Sequence, residues 1–132
     1  MDDLAAILVV EDDTLVQAVV EEALSDGGFE IVIASSGKNA TELLGGADAK
    51  FRALVTDIDL GPDGLDGWEV ARRAREINPT FPVVYMSGSS AEDWASKGVP
   101  RSVMIAKPFA PAQLVTAVAQ LLNAIPPTAP EK

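Results

Sequence analysis

The chain has 132 residues, close to the modal length of a single domain, and 48% of them are apolar, enough for a sizeable core. Twenty acidic residues against ten basic ones give a net charge of −10, which argues against a nucleic-acid-binding face and against docking on an anionic membrane. Cysteine and histidine are both absent, so thiolate chemistry and the commonest general base are excluded, and any metal must sit on oxygen, where a hard cation such as Mg²⁺ fits best.

Apolar runs alternate with helix-period segments along the whole chain. "AAILVV" (5–10) reads as a buried strand. Leu15, Val16, Val19, Val20, Ala23 and Leu24 then recur three to four apart, the stripe of an amphipathic helix, ended by Gly27-Gly28. "FEIVIA" (29–34) is the second strand. Ser35 or Ser36 caps a helix carrying Leu43 and Leu44, which stops at Gly45-Gly46. "ALVTD" (53–57) is the third strand, and Asp66 can cap the helix after it, with Val70, Ala71, Ala74 and Ile77 inward and Asn78-Pro79 at its end. "PVVYMS" (82–87) is the fourth strand, followed by the short, weak segment "AEDWASK" (91–97). "SVMIA" (102–106) is the fifth strand. Pro111 suits the first position of a last helix through Leu114, Val115, Val118, Leu121 and Leu122. One domain over 1–125 is expected, with 126–132 as a frayed tail. No window reaches the roughly 18 apolar residues of a membrane span. The opening "MDDLAA" is acidic where a signal peptide is basic, so a cytoplasmic location is expected.

Five strands alternating with helices mean an α/β fold with a parallel sheet, and continuous apolar runs fit strands covered on both faces. Ligands of such sheets bind beyond the carboxyl ends of the strands. The residues there form one chemical set: Glu11-Asp12-Asp13 after the first strand, Asp57 with Asp59 after the third, Ser87-Gly88 after the fourth, Lys107-Pro108 after the fifth. Crowded carboxylates repel unless a cation lies between them. Mg²⁺ takes one or two carboxylates, waters and a phosphate; lysine offers a point charge to phosphate, and a hydroxyl can donate to a phosphoryl oxygen. Such a set suits phosphoryl transfer, with a carboxylate as nucleophile.

The ordered motifs "ILVVEDD", "LVTDIDL", "VVYMSG" and "IAKPF" resemble the receiver domain of two-component response regulators, over about residues 5 to 124. The resemblance implies a flavodoxin-like, doubly wound sheet of order 2-1-3-4-5 with helices on both faces. It implies Asp57 as phosphoacceptor, and Glu11 and Asp12 as the acidic pair at Mg²⁺, Asp12 the more direct ligand. It further implies that Asp57 and the backbone carbonyl of Asp59 complete the metal site, with Ser87 as the switch hydroxyl and Lys107 as the phosphate-binding lysine before a cis proline. It implies a histidine kinase or histidine phosphotransfer protein as donor, no turnover beyond the domain's own phosphorylation and dephosphorylation, and, for a stand-alone domain, an output protein reached by contact or by phosphorelay.

Three departures stand out. The loop "LGPDGLDG" is two residues longer than the family spacing, the stretch between Ser87 and Lys107 is short enough to stunt the fourth helix, and Met104 stands where an aromatic is usual. Trp68 and Trp94 read as half-buried packing residues. Rival readings are a receiver-like interaction module that is never phosphorylated, and an Asp-x-Asp phosphatase, whose motif belongs after a first strand rather than a third. A calcium loop counted from Asp57 fails at Gly61 and Pro62.

Overall fold

The computed structural model describes residues 6–46, 51–60, 65–89 and 91–124. Five strands, β1 (Ala6–Val10), β2 (Ile31–Ala34), β3 (Phe51–Asp57), β4 (Val83–Ser87) and β5 (Val103–Ala106), form one parallel sheet of order β2-β1-β3-β4-β5. Between and after them run α1 (Thr14–Asp26), α2 (Gly37–Leu44), α3 (Gly67–Ile77), α4 (Trp94–Lys97) and α5 (Pro111–Ala124). The chain order reverses between β1 and β3, which makes the crevice above their carboxyl ends the binding position of this topology.

Two apolar layers enclose the sheet. Leu8, Leu54, Val83 and Tyr85 face α2 and α3, where they meet Ala40, Trp68, Ala71 and Ala74. Ile7, Val9, Val55, Val84 and Met86 face α1 and α5, where they meet Val20, Leu24, Leu114 and Val118. Alternate residues of one strand thus fill opposite layers, which is why these strands read as continuous apolar runs. The edge strands are less covered: Val32 on β2 is exposed, and Val103 and Met104 on β5 are half-buried.

Caps locate the helix starts. Asp13 Oδ1 accepts the amides of Leu15 (2.8 Å) and Val16 (3.3 Å), Ser36 Oγ that of Asn39 (3.0 Å), and Asp66 Oδ1 that of Glu69 (3.0 Å). Gly67 follows the last of these caps for a steric reason. Its amide donates to the carbonyl of Ile58 (2.9 Å), and a Cβ at this position would overlap the backbone of Asp57. The start of α3 is therefore pressed onto the end of β3.

Several expectations need correction. Leu15 is 78% exposed and Val19 is exposed too, so α1 buries only Val20, Ala23 and Leu24 fully. Its stripe is wider than the strip α5 and the sheet cover. Ile77 lies at the end of α3 and is 56% exposed, because the helix runs past the sheet there. The third strand starts at Phe51, earlier than its apolar run, since backbone pairing with β1 extends beyond the buried residues. The second strand starts later, at Ile31. Trp68 is buried rather than half-buried. The expected stunting of the fourth helix is present: a 3₁₀ turn (Ala91–Asp93) leads into a single α-turn. Within the longer loop, residues 61–64 lie outside the described residues, as do 126–132 of the expected tail.

Candidate functional site

The carboxyl ends of β1, β3 and β5 bring Glu11, Asp12, Asp57 and Lys107 together. Oxygen atoms of Glu11, Asp12 and Asp57 lie within 4.8 Å of one another. Glu11 is fully buried and Asp57 nearly so, whereas Asp12 is exposed at the rim. Lys107 Nζ reaches Glu11 Oε1 at 3.0 Å and Asp57 Oδ2 at 3.4 Å. The other oxygen of each carboxylate accepts a backbone amide: Glu11 Oε2 from Asp13 (3.1 Å), Asp57 Oδ1 from Ile58 (2.9 Å). Both buried carboxylates are thus held the same way, one oxygen on the chain and one on a shared ammonium. The Gln17 amide donates to the carbonyl of Glu11 at 2.6 Å and ties the strand end to α1. The adjacent Asp13 is occupied in capping α1, so the run of three acids divides into one structural residue and two at the cluster.

Ser87 ends β4, opposite Ala106 of β5, and its carbonyl accepts the amide of Lys107 (2.8 Å). Its Oγ accepts the amide of Ser89 (3.2 Å). The Lys107-Pro108 bond is cis. Asp59 lies two residues beyond the end of β3 and is exposed; the grouped carboxylates are Glu11, Asp12 and Asp57 without it. Beside Lys107, Leu15, Val16, Val19, Pro108 and Phe109 line an apolar groove of about 450 Å³. Sequence reading missed this groove because it assigned Leu15 and Val19 to the core.

Three carboxylates against one ammonium leave the cluster with two excess negative charges. Burial pushes the Glu11 carboxyl above its ordinary range, and the charge of Asp57 adds to this, against the pull of the Asp13 amide and of Lys107. Burial does the same to Asp57, opposed chiefly by the charge of Lys107. Burial alone would lower Lys107, but the hydrogen bond to Glu11 and the charge of Asp57 outweigh it and hold the ammonium above its ordinary value. The donor set suits a divalent hard cation: all oxygen, net charge of opposite sign and matching size, one ligand open to water.

A consequence for stability follows. A carboxyl raised in the fold binds protons that the unfolded chain has already released, so stability falls as pH rises from its ordinary value through its raised one. Lys107 contributes nothing to this window, because its favourable share is lost only above its ordinary value near 10.5. The metal-free protein is expected to gain on the order of 1 kcal/mol as pH drops from 7 to 5. Denaturant midpoints in EDTA at the two pH values measure it. A midpoint that falls on acidification would mean that Glu11 and Asp57 are stabilised as anions.

No described helix is long and apolar enough to cross a membrane. A family model described as "Response regulator receiver domain" matches residues 7–119. The response regulator receiver protein CpdR of Brucella abortus (strain 2308) is 32% identical over 120 residues, covering 89% of this chain and 97% of CpdR. The probable transcriptional regulator ycf29 of Porphyra purpurea is 28% identical, with 88% of this chain covering 56% of ycf29. The chain therefore spans nearly all of the first relative and about half of the second. Among solved structures, a response regulator receiver protein from Sinorhizobium medicae WSM419 superposes with a TM-score of 0.87 at 47% identity, over 92% of this chain and 97% of that one.

Proposed function

The chain belongs to the response regulator receiver domain family, and from that premise we propose that Asp57 is its phosphoacceptor. The observation that carries the reading is Lys107 bridging the buried Glu11 and Asp57 beside the exposed Asp12. The donor is a phosphohistidine on another protein, since this chain has no histidine to carry the group. The N–P bond of that donor breaks as an Asp57 Oδ–P bond forms, and the imidazole leaves with its electron pair.

Each residue has a task. Asp57 is fixed by the Ile58 amide, which leaves one carboxylate oxygen turned toward Lys107. Lys107 and Ser87 hold phosphoryl oxygens once the acyl phosphate has formed. Glu11, Asp12, Asp57 and the carbonyl of Asp59 are the groups that would hold Mg²⁺, Asp12 most directly. When bound, the ion neutralises charge on the attacking carboxylate and the phosphoryl oxygens. Glu11 also keeps Lys107 beside Asp57. The protein works as a switch that modifies itself rather than as an enzyme with turnover. It acts in the cytoplasm, on a protein target or as a phosphorelay member. The exposed apolar groove at Lys107 suits a donor that must cover the site during transfer.

Incubation with acetyl phosphate and Mg²⁺ is expected to add one phosphoryl group by intact mass, and none in EDTA. Mg²⁺ titration is expected to show affinity at least tenfold weaker in Asp12→Ala, as a charged ligand is lost from an all-oxygen site. No mass gain at saturating donor, with Mg²⁺ bound, would favour a receiver-like interaction module instead.

A further inference from the structure

Thr56 is polar, fully buried and outside the cluster of charged groups. It stands directly before Asp57 in β3, on the same strand face as Leu54. Val10 of β1 and Tyr85 of β4 are its register partners, and both are fully buried too. A β-branched side chain so enclosed has little freedom at χ1. Its Oγ1 donates to the carbonyl of Asp57 at 2.8 Å.

That acceptor is one the sheet leaves over. Leu54 and Ile58 donate their amides toward β4, to the carbonyls of Pro82 (2.9 Å) and Met86 (3.2 Å). Backbone groups of alternate residues point to opposite neighbours, so those of Asp57 point toward β1. The β1 ladder ends at Val10, opposite Thr56. The Asp57 carbonyl therefore lies beyond the last rung, and a buried carbonyl needs a donor. The Thr56 hydroxyl is that donor, and Gly67 presses on the same oxygen, which a Cβ there would overlap.

The other end of this peptide carries the consequence. Its N–H is that of Ile58, which donates to Asp57 Oδ1 (2.9 Å) as well as to the Met86 carbonyl. One peptide unit thus has its C=O held by Thr56 while its N–H holds the carboxylate. A tilt of that unit swings Oδ1, and with it Oδ2, which lies 3.4 Å from Lys107 Nζ. Glu11 is built differently. Gln17 holds its carbonyl at 2.6 Å, but Oε2 accepts the Asp13 amide, one peptide further on. Of the two buried acids, only Asp57 has both bonds on a single peptide.

We propose that Thr56 is a positioning residue for phosphoryl transfer: its hydroxyl fixes the 57–58 peptide, whose amide in turn aims the Asp57 carboxylate at the incoming phosphorus. This rests on the receiver reading above. Thr56 acts through the peptide and not on the reacting oxygen.

Initial rates of phosphorylation by acetyl phosphate at saturating Mg²⁺, read by intact mass, test the assignment in Thr56→Val and Thr56→Ser. Valine keeps the shape and loses the hydroxyl; serine keeps the hydroxyl and loses a buried methyl. Thr56→Val is expected to slow the rate at saturating acetyl phosphate about tenfold, with the half-saturating concentration within about twofold of wild type, as for a misaimed nucleophile. Thr56→Ser is expected to stay within about twofold of the wild-type rate, although its denaturant midpoint falls for want of the methyl. Should Thr56→Val fail to fold, Thr56→Ala beside Thr56→Ser carries the test, because both lack the methyl and only alanine lacks the hydroxyl; alanine is expected to be the slow one. A valine variant labelled at the wild-type rate overturns the positioning role and leaves the receiver reading standing. So does a serine variant as slow as valine or alanine, or a valine variant changed only in its half-saturating concentration. An absent mass gain in wild type overturns the receiver reading itself, and the role of Thr56 with it.

Discussion

Asp57→Asn is expected to abolish the single phosphoryl gain seen by intact mass with acetyl phosphate and Mg²⁺, even after prolonged incubation. The amide oxygen can still accept the Ile58 N–H, so the backbone stays in place. What is lost is the nucleophile: an amide oxygen carries no charge to attack phosphorus. Asp12 and Asp59 are not expected to substitute, because both are exposed and Lys107 faces Asp57 and Glu11 instead. The same variant is expected to be more stable than wild type in EDTA, by roughly 1 kcal/mol, since burial already works against the Asp57 charge. Equal labelling of the two proteins would move the acceptor to another residue.

Lys107→Met is expected to have the largest effect on the fold. The lysine is the shared cation of two buried carboxylates, and removing one partner of a buried pair leaves uncompensated charge. Its side chain is 23% exposed and the carboxyls can take up protons, so the loss at pH 7 without metal should be about 2 kcal/mol, below the full 3–5 of a sealed pair. The loss should shrink on acidification to pH 5, because proton uptake by the raised Glu11 and Asp57 carboxyls lessens the repulsion. Phosphorylation should also drop by about tenfold or more, for want of the ammonium at the phosphoryl oxygens. Denaturant midpoints at both pH values separate the two effects, because a loss independent of pH would assign Lys107 a packing role through its alkyl stem.

The sheet was legible because its strands are covered on both faces: runs such as "ILVV" and "VVYMS" admit no amphipathic alternative of that length. The cluster was legible because each member directly follows a strand, so strand order alone converges them. Burial at single positions was less so. Periodicity put Leu15 and Ile77 on inner faces, yet a helix can carry a wider apolar stripe than its neighbours cover, and it can outrun the sheet. The ties of Tyr85 to Val99 and of Trp94 to Ser102 join residues whose spacing matches no repeating pattern. They depend on how a short segment folds back over β4. Trp94 gave a hint, as a large polar-tipped ring in a weak helix, but its partner had no signature of its own.

The close approach at Gly67 bears on which positions of this chain can accept a larger residue. Any side chain at that position must lift α3 off the backbone of Asp57, and Trp68, which packs on Tyr85, moves with it. A similar approach joins Gly37 at the start of α2 to the backbone of Leu65. Two atoms' width of clearance thus binds three consecutive elements to glycine at these points, whatever signal the domain serves. The surface of α4 and the exposed face of α1 meet no such limit. Substitution is therefore costly beside Asp57 and cheap on those flanks, where an added side chain meets solvent rather than backbone.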